Sequence, residues 1–325
     1  MKIDQLETLL LREKIPYETN VNLKTKTWIH RGGNAFYYIK PEDTYSLEIV
    51  MIFLYKNEIK HLVVGSTSNL YILNTTDIPV VISTLKCNNY LIKENIIECE
   101  CGVLVSKLAR QMITNSIKGF EYLTKLPGTV GASIYNNSSV KGQHNSITAL
   151  LVDLDIVTPA GVKKLLPKDL HFSFRSSELK KKLMRGVILK ARLKYEKGSR
   201  EEMEKIAHEN EAERNRILEG PVQNLGCTVH KMFSNGPMPR RYEIPLRLYS
   251  KMLSVFVKDD IRRKQLKNRF LLFISGHNNL IPYISDKQLI TFIWKDERAD
   301  MLFDEYLQFM KEVCRTDQIE IEIIR

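Results

Sequence analysis

The sequence predicts an α+β fold: two small strand-rich units followed by a further α+β lobe. Three observations carry this. Apolar runs of strand length alternate with short polar turns through the first 195 or so residues. A charged helical stretch, "KGSREEMEKIAHENEAERNRILE", then interrupts the pattern. After it, longer helical patterns alternate with strands. At 325 residues the chain is long for one core. The divisions expected are 1–85, 86–196 and 197–325.

In chain order, Leu spacing predicts a helix over residues 4–14. "TWIHRGGNAFYYIKP" reads as strand, Gly-Gly turn, aromatic strand and a stop at Pro41. Residues 43–56 read as a helix. "HLVVGSTSNLYIL" reads as strand, Gly/Ser/Thr turn and strand, and "IPVVISTL" as a further strand. Residues 90–101 read as strands and "GVLVSKLARQMITNSIKGF" as a helix with one apolar face. "ALLVDLDIVTPAGVKKLL" is a hairpin about Pro159-Ala160-Gly161, and "GVILKARLKYE" is the next strand. In the last part a helical region runs from Leu246 to about Arg263. "LITFIW" reads as a strand, "DERADMLFDEYLQFMKEVC" as an amphipathic helix and "IEIEIIR" as a terminal strand.

Composition excludes several classes. Hydrophobic residues make up 43% and charged residues 27%, which is globular and not disordered. No apolar run approaches 18 residues, so no spanning helix and no membrane partner are expected. The N-terminus carries charges on both sides of a short Leu patch, unlike a signal peptide, so the expected compartment is the cytoplasm. A monomer is the expected state. Cys87, Cys99, Cys101, Cys227 and Cys314 match no zinc framework. Free thiols are the reading; a metal held by the Cys99-x-Cys101 pair is the alternative. The net charge of +11 calls for an anionic partner, but the lysines are not interleaved with aromatics. A phosphorylated small molecule or a dinucleotide therefore ranks above nucleic acid.

Glycine is scarce, yet Gly119, Gly128, Gly131 and Gly142 fall within one short stretch. Three turns share a design of strand, glycine or hydroxyl turn, new element. They are Arg31-Gly32-Gly33-Asn34, Gly65-Ser66-Thr67-Ser68-Asn69 and Pro127-Gly128-Thr129-Val130-Gly131. Glycine lets backbone amides approach an anion, and Ser, Thr and Asn add neutral donors. Any one could be an ordinary turn; three together suggest convergence on a pyrophosphate. None fits a G-x-G-x-x-G or Walker pattern.

"TWIHRGGNAFYYIKP", "HLVVGSTSNLYIL", "GFEYLTKLPGTVGASIYNN" and "HFSFRSSELK" occur in an order and spacing that resemble the UDP-N-acetylenolpyruvoylglucosamine reductases. The resemblance is continuous over residues 20–195 and patchy after 230. It implies a two-subdomain FAD-binding fold of the PCMH/vanillyl-alcohol-oxidase type with a C-terminal α+β substrate lobe. It also implies FAD, NADPH as hydride donor and a nucleotide-sugar substrate. By resemblance, Arg31, Gly32, Gly33 and Asn34, then Gly65, Ser66, Thr67, Ser68 and Asn69, then Pro127, Gly128, Thr129, Gly131, Ala132 and Ser133 face FAD. The family has a further glycine where Ser66 or Thr67 stands. Asn136 to Gly142 depart from the family's Asn-x-Gly-Ala-Tyr-Gly.

The implied reaction adds a hydride to C3 of an enolpyruvyl ether and a proton to C2. Arg175 in "FSFRSSE" matches the arginine that grips the substrate carboxylate, Cys227 the proton donor, and Glu322 a C-terminal polarising glutamate. Glu320 alternates with Glu322, so a register slip would exchange them. His230 and Lys231 are substrate-contact candidates. Gln288 stands where the family often has histidine. The short span between Arg175 and "RGVILKARL" matches the loop-lacking subtype. A related FAD oxidoreductase with another substrate, or a non-catalytic FAD-binding protein, remains the alternative.

Overall fold

Leu6, Leu9 and Leu10 fall on one side of α1 (Lys2–Arg12) and are buried, which is why this short helix holds. The protein is described from a computed structural model covering residues 2–140, 145–220 and 222–325, so Lys141 and Gly142 lie outside the described residues. After α1 come β1 (Tyr17–Asn22), β2 (Asn34–Ile39), α2 (Thr44–Lys56), β3 (His61–Val64), β4 (Leu70–Ile72) and β5 (Ile78–Ser83). Helix α2 starts because Asp43 accepts the Ser46 amide at 2.7 Å, and it buries Leu47, Val50, Met51 and Leu54 at i, i+3, i+4, i+7.

Next are β6 (Tyr90–Lys93), β7 (Ile96–Glu100), α3 (Val105–Thr114), β8 (Ile117–Lys118), α4 (Val130–Tyr135), β9 (Leu151–Thr158), β10 (Gly161–Leu165), β11 (Val187–Lys194), β12 (Glu196–Lys197) and α5 (Arg200–Ile217). The chain ends with α6 (Arg240–Phe256), α7 (Asp260–Ile274), α8 (Arg298–Glu312) and β13 (Glu322–Ile324).

Two compact units result. The first comprises residues 1–26, 32–67 and 74–213. It holds a four-stranded sheet in the order β1-β2-β5-β3, with β2, β5 and β3 parallel. It also holds a five-stranded antiparallel sheet, β10-β9-β11-β7-β6. Across the middle of this second sheet Arg192 of β11 grips Asp155 of β9 through two hydrogen bonds of 2.6 and 2.8 Å and also pairs with Asp153. The Arg192 bonds, outweighing partial desolvation, hold the Asp155 carboxyl below its ordinary range. Helix α5 packs here through Arg110–Glu211 and through the Asn210 amide on the Tyr122 carbonyl.

The second unit comprises residues 27–31, 68–73 and 214–325. It therefore differs from the lobe expected at 197–325 in taking two segments from the N-terminal region. The cause is non-local: β13 pairs in parallel with β4, and Ile29 and Tyr71 join an aromatic core of Phe292, Trp294, Phe303 and Tyr306.

Three sequence expectations fail. The segment at Thr27–His30 is not a strand: His30 takes φ +53°, and the Trp28 indole donates to the Asn224 carbonyl at 2.9 Å. "LITFIW" forms no continuous strand, because its amides bond to separate places; Ile293 reaches the Tyr283 carbonyl and Trp294 that of Gln223. The helical region at Leu246 to Arg263 is two helices, the second capped by Asp259, which accepts the Arg262 amide at 2.8 Å. Among the described residues no helix is long and apolar enough to cross a membrane.

Candidate active site

The second and third glycine turns come together. A Cβ placed on Gly65 would sit 2.7 Å from the Thr129 hydroxyl, and one on Gly131 would sit 2.9 Å from the Cys101 Cβ. The third turn is laced onto the end of β7: Val130 donates to Val103 O, Gly131 to Cys101 O, and Val105 to Gly128 O. Thr129 caps α4 by accepting the Ala132 amide, and Ser133 bonds back to Thr129 O. Most α4 N-terminal amides are thus committed to protein acceptors. What this cradle can offer a bound anion is Ser, Thr and Asn side chains, with no carboxylate within 65–69 or 127–133 to repel it.

Thr67 adopts φ +56°, a left-handed value that glycine takes freely and a β-branched residue does not. Of the two positions the resemblance left open, this fits Thr67 as the place of the family glycine.

The first turn does not join this cradle. In the four-stranded sheet Ala35 of β2 lies beside Ile78 of β5, whereas Val64 of β3 lies beside Ser83. Since the strands are parallel, Gly32–Asn34 and Gly65 stand at opposite ends of the sheet, roughly 16 Å apart along it. Gly32 donates to Asn74 Oδ1 at 3.0 Å, Asn34 to Asp77 Oδ1 at 3.0 Å, and a Cβ on Gly33 would fall 2.3 Å from the Thr76 carbonyl oxygen. Arg31 is also spoken for. It is buried, its Nε lies 3.0 Å from Asp300 Oδ2 on α8, and it donates to the Asp296 carbonyl. The expectation that all three turns converge is corrected accordingly.

Arg175 sits in the first unit at the tip of a tight hairpin. Ser173 and Ser176 exchange both backbone hydrogen bonds, at 3.0 and 3.1 Å, leaving Phe174 and Arg175 as the turn. Arg175 pays φ +52° for this, a left-handed value. The hairpin is pinned from below by Asn137, itself buried at φ +45°, whose amide donates to the Ser173 carbonyl at 2.7 Å. Thr148 fixes Asn137 in turn by donating to Asn137 Oδ1 at 2.6 Å. Ser177 donates to Tyr135 O at 2.6 Å, and Lys180 to Asn136 Oδ1 at 2.8 Å. The stretch after α4 is thus the platform of the Arg175 hairpin. Sequence reasoning saw Asn137 only as a departure from the family pattern, because its partners lie 11 and 36 residues away.

Cys227, His230, Lys231, Glu320 and Glu322 belong to the second unit. Gly226 at φ +74° turns the chain into Cys227, whose thiol donates to Gln288 Oε1 at 3.7 Å. Residues 228–230 then pair with the chain's end: Glu320 donates to Thr228 O, His230 to Gln318 O, and Val229 bridges Ile319. On the other side Glu322 donates to Asn69 O and pairs with Leu70. The terminal segment therefore lies between the Cys227 loop and the end of the second turn. Glu320 and Glu322 are both half-buried around buried Ile321, so burial does not choose between them. Lys231 is exposed and His230 half-buried.

Cys99, Cys101, Cys87 and Cys314 are buried, and burial pushes the Cys99 and Cys314 thiols up to about 12. No group of metal-ligating residues occurs among the described residues. A shallow cleft of about 330 Å³ on α3, lined by Ser106, Lys107 and Arg110 among others, involves none of the candidate residues.

Residues 36–164 match a family model described as an FAD binding domain. A UDP-N-acetylenolpyruvoylglucosamine reductase from Caldicellulosiruptor saccharolyticus is 31% identical over 62% of this chain and 64% of its own length. One from Streptococcus suis is 27% identical over 63% of this chain and 66% of its own. The chain thus spans just under two thirds of these relatives' length. The crystal structure of the UDP-N-acetylenolpyruvylglucosamine reductase from Thermus caldophilus superposes with a TM-score of 0.66, covering 96% of this chain and 100% of that one at 20% identity, which shows the shared fold. In sequence over about two thirds of its length, and in fold over nearly all of it, the chain is similar to the UDP-N-acetylenolpyruvoylglucosamine reductases.

Proposed function

We propose that the protein is an FAD-dependent, NADPH-using reductase of UDP-N-acetylglucosamine enolpyruvate, giving UDP-N-acetylmuramate for peptidoglycan in the cytoplasm. The observation that carries this is Arg175, held at φ +52° on a hairpin built by buried Asn137 and Thr148. Backbone strain of about 1–3 kcal/mol is kept where surroundings over-determine it, and functional sites are where it clusters.

FAD fits the paired turns, since Gly65 brings the second against Thr129 of the third and their side chains are neutral donors. When bound it supplies the hydride chemistry that moves two electrons from NADPH to C3 of the enol ether. Arg175 would meet both carboxylate oxygens of the enolpyruvyl group with its planar, permanently charged fork. Addition at C3 leaves electron density on C2 and the carboxylate, which that charge stabilises. The Cys227 thiol then gives C2 its proton; an ordinary thiol is a far better acid than a serine hydroxyl and is still mostly protonated at neutral pH. Gln288 Oε1, the acceptor of that thiol, orients it. Glu322, or Glu320 two residues before it, polarises the substrate, and His230 and Lys231 contact its nucleotide-sugar portion.

One observation favours a second reading, an FAD oxidoreductase for another carboxylate. Cys227 meets Gln288, where the family often has histidine. Steady-state NADPH consumption decides between them. Dependence on the enolpyruvyl UDP-sugar, with one NADPH used per enol ether lost, supports the first; no dependence on it overturns the first.

A further inference from the structure

The helical pair α6–α7 carries an apolar face that is exposed among the described residues. On its inner side α6 buries Leu253, packs Tyr242 and Leu246 against the second unit's core, and stacks Tyr249 on Phe270 of α7 at 4.1 Å. On its outer side Ile244, Leu248, Met252 and Val255 follow at helical spacing, 55%, 63%, 49% and 74% exposed, and Phe256 at its end is 79% exposed. Isolated exposed aliphatics are ordinary; a stripe of them along one helix is not. At 100° per residue, Arg240, Arg247 and Lys251 fall along one flank of that stripe.

Charge says what the stripe meets. Residues 240–274 contain ten Lys and Arg against Glu243, Asp259 and Asp260, a net +7 out of the whole chain's +11. A second copy of the same face would be repelled by that charge. A nucleic acid would be drawn to it but would gain nothing from Ile, Leu, Met and Val. A surface that is anionic at its rim and apolar just beneath accepts both features at once, and that is an anionic lipid bilayer.

We propose that α6 is an interfacial anchor that lays the protein on anionic membrane. The apolar stripe enters the boundary between headgroups and acyl chains, and Arg240, Arg247, Lys251 and the α6–α7 linker's Lys258 meet the lipid phosphates. The expectation of no membrane partner rested on the absence of a spanning segment, and an in-plane helix needs none.

Flotation of the full chain with vesicles tests this. Binding is expected to vesicles of phosphatidylcholine and phosphatidylglycerol at 7:3 and not to phosphatidylcholine alone, and to weaken at 0.5 M NaCl. Leu248→Glu combined with Val255→Glu touches only exposed side chains, so circular dichroism should be unchanged while partitioning falls by about tenfold or more. Arg247→Glu combined with Lys251→Glu should lower it by roughly fivefold per cation removed. Three results would overturn the proposal. One is no flotation with either vesicle. Another is phosphatidylglycerol binding that the Leu248/Val255 variant retains in full. The third is a concentration-dependent dimer of the parent that the same variant makes monomeric.

Discussion

The turn at Gly32–Gly33 and the turn at Gly128–Gly131 are both glycine-bearing links into a new element, yet their surroundings differ. Around the first, charged side chains and backbone groups of the scaffold close in. Asn74 and Asp77 accept its amides, the Thr76 carbonyl fills the space beside Gly33, and Arg31 just before it is consumed by Asp300. Around the second, glycine brings a neighbouring turn close, Gly65 against Thr129, and the side chains gathered there are hydroxyls and amides without charge. Glycine density therefore marks where backbone must come close. The charge of its neighbours separates the two turns, and the uncharged one is the better proposal for a cofactor seat.

Substitutions can break this contrast. Gly33→Ala should have the largest effect on stability, about 3 kcal/mol or more, because its Cβ meets a backbone oxygen at 2.3 Å. Denaturant titration should show that loss, while whatever folds keeps its full flavin stoichiometry. Loss of flavin at unchanged stability would put the first turn back in the cofactor site.

Gly131→Ala meets a side-chain carbon at 2.9 Å and should cost less, about 1–3 kcal/mol, yet weaken FAD binding by at least about tenfold. Equilibrium dialysis against free FAD measures it. Asn137→Ala leaves the Thr148 hydroxyl and the Ser173 carbonyl short of a partner, a cost of about 1–3 kcal/mol. It should slow reduction of the enolpyruvyl substrate while leaving NADPH-driven flavin bleaching intact, which a general loss of folding would not do.

Thr67→Gly should have the smallest effect. Relief of a left-handed β-branched residue is worth about 1–2 kcal/mol, and the freer unfolded chain takes back about 0.5–1. A thermal scan should show a small gain or none; a large loss would mean that the Thr67 side chain, not the turn's shape, holds the cradle.

How much was legible follows from the range of the forces involved. Helix α2 stands where periodicity puts it, because its Asp43 cap and its Leu47–Leu54 stripe are local. The β9–β10 hairpin is equally local. The segment at 27–31 was not legible: Trp28 bonds Asn224 and Ile29 enters a core made almost 200 residues later or more. The "LITFIW" stretch misled because its apolar residues fill an aromatic core with only isolated bridges, Phe292 to Ile284 and Ile293 to Asn224, in place of a strand ladder. At the candidate site the motif residues could be named from sequence. Their support could not, since Asn137 reaches Arg175's hairpin across 36 residues and Gln288 reaches Cys227 across 61.

The most direct test of the account is anaerobic. The purified protein's visible spectrum is recorded, any flavin is bleached with NADPH, and UDP-N-acetylglucosamine enolpyruvate is added. The account predicts that a yellow protein bleaches and regains its colour with the substrate, and that Cys227→Ala bleaches equally but fails to recover. A protein that bleaches and stays bleached in the parent form, or a Cys227→Ala variant that recovers as fast as the parent, would contradict it.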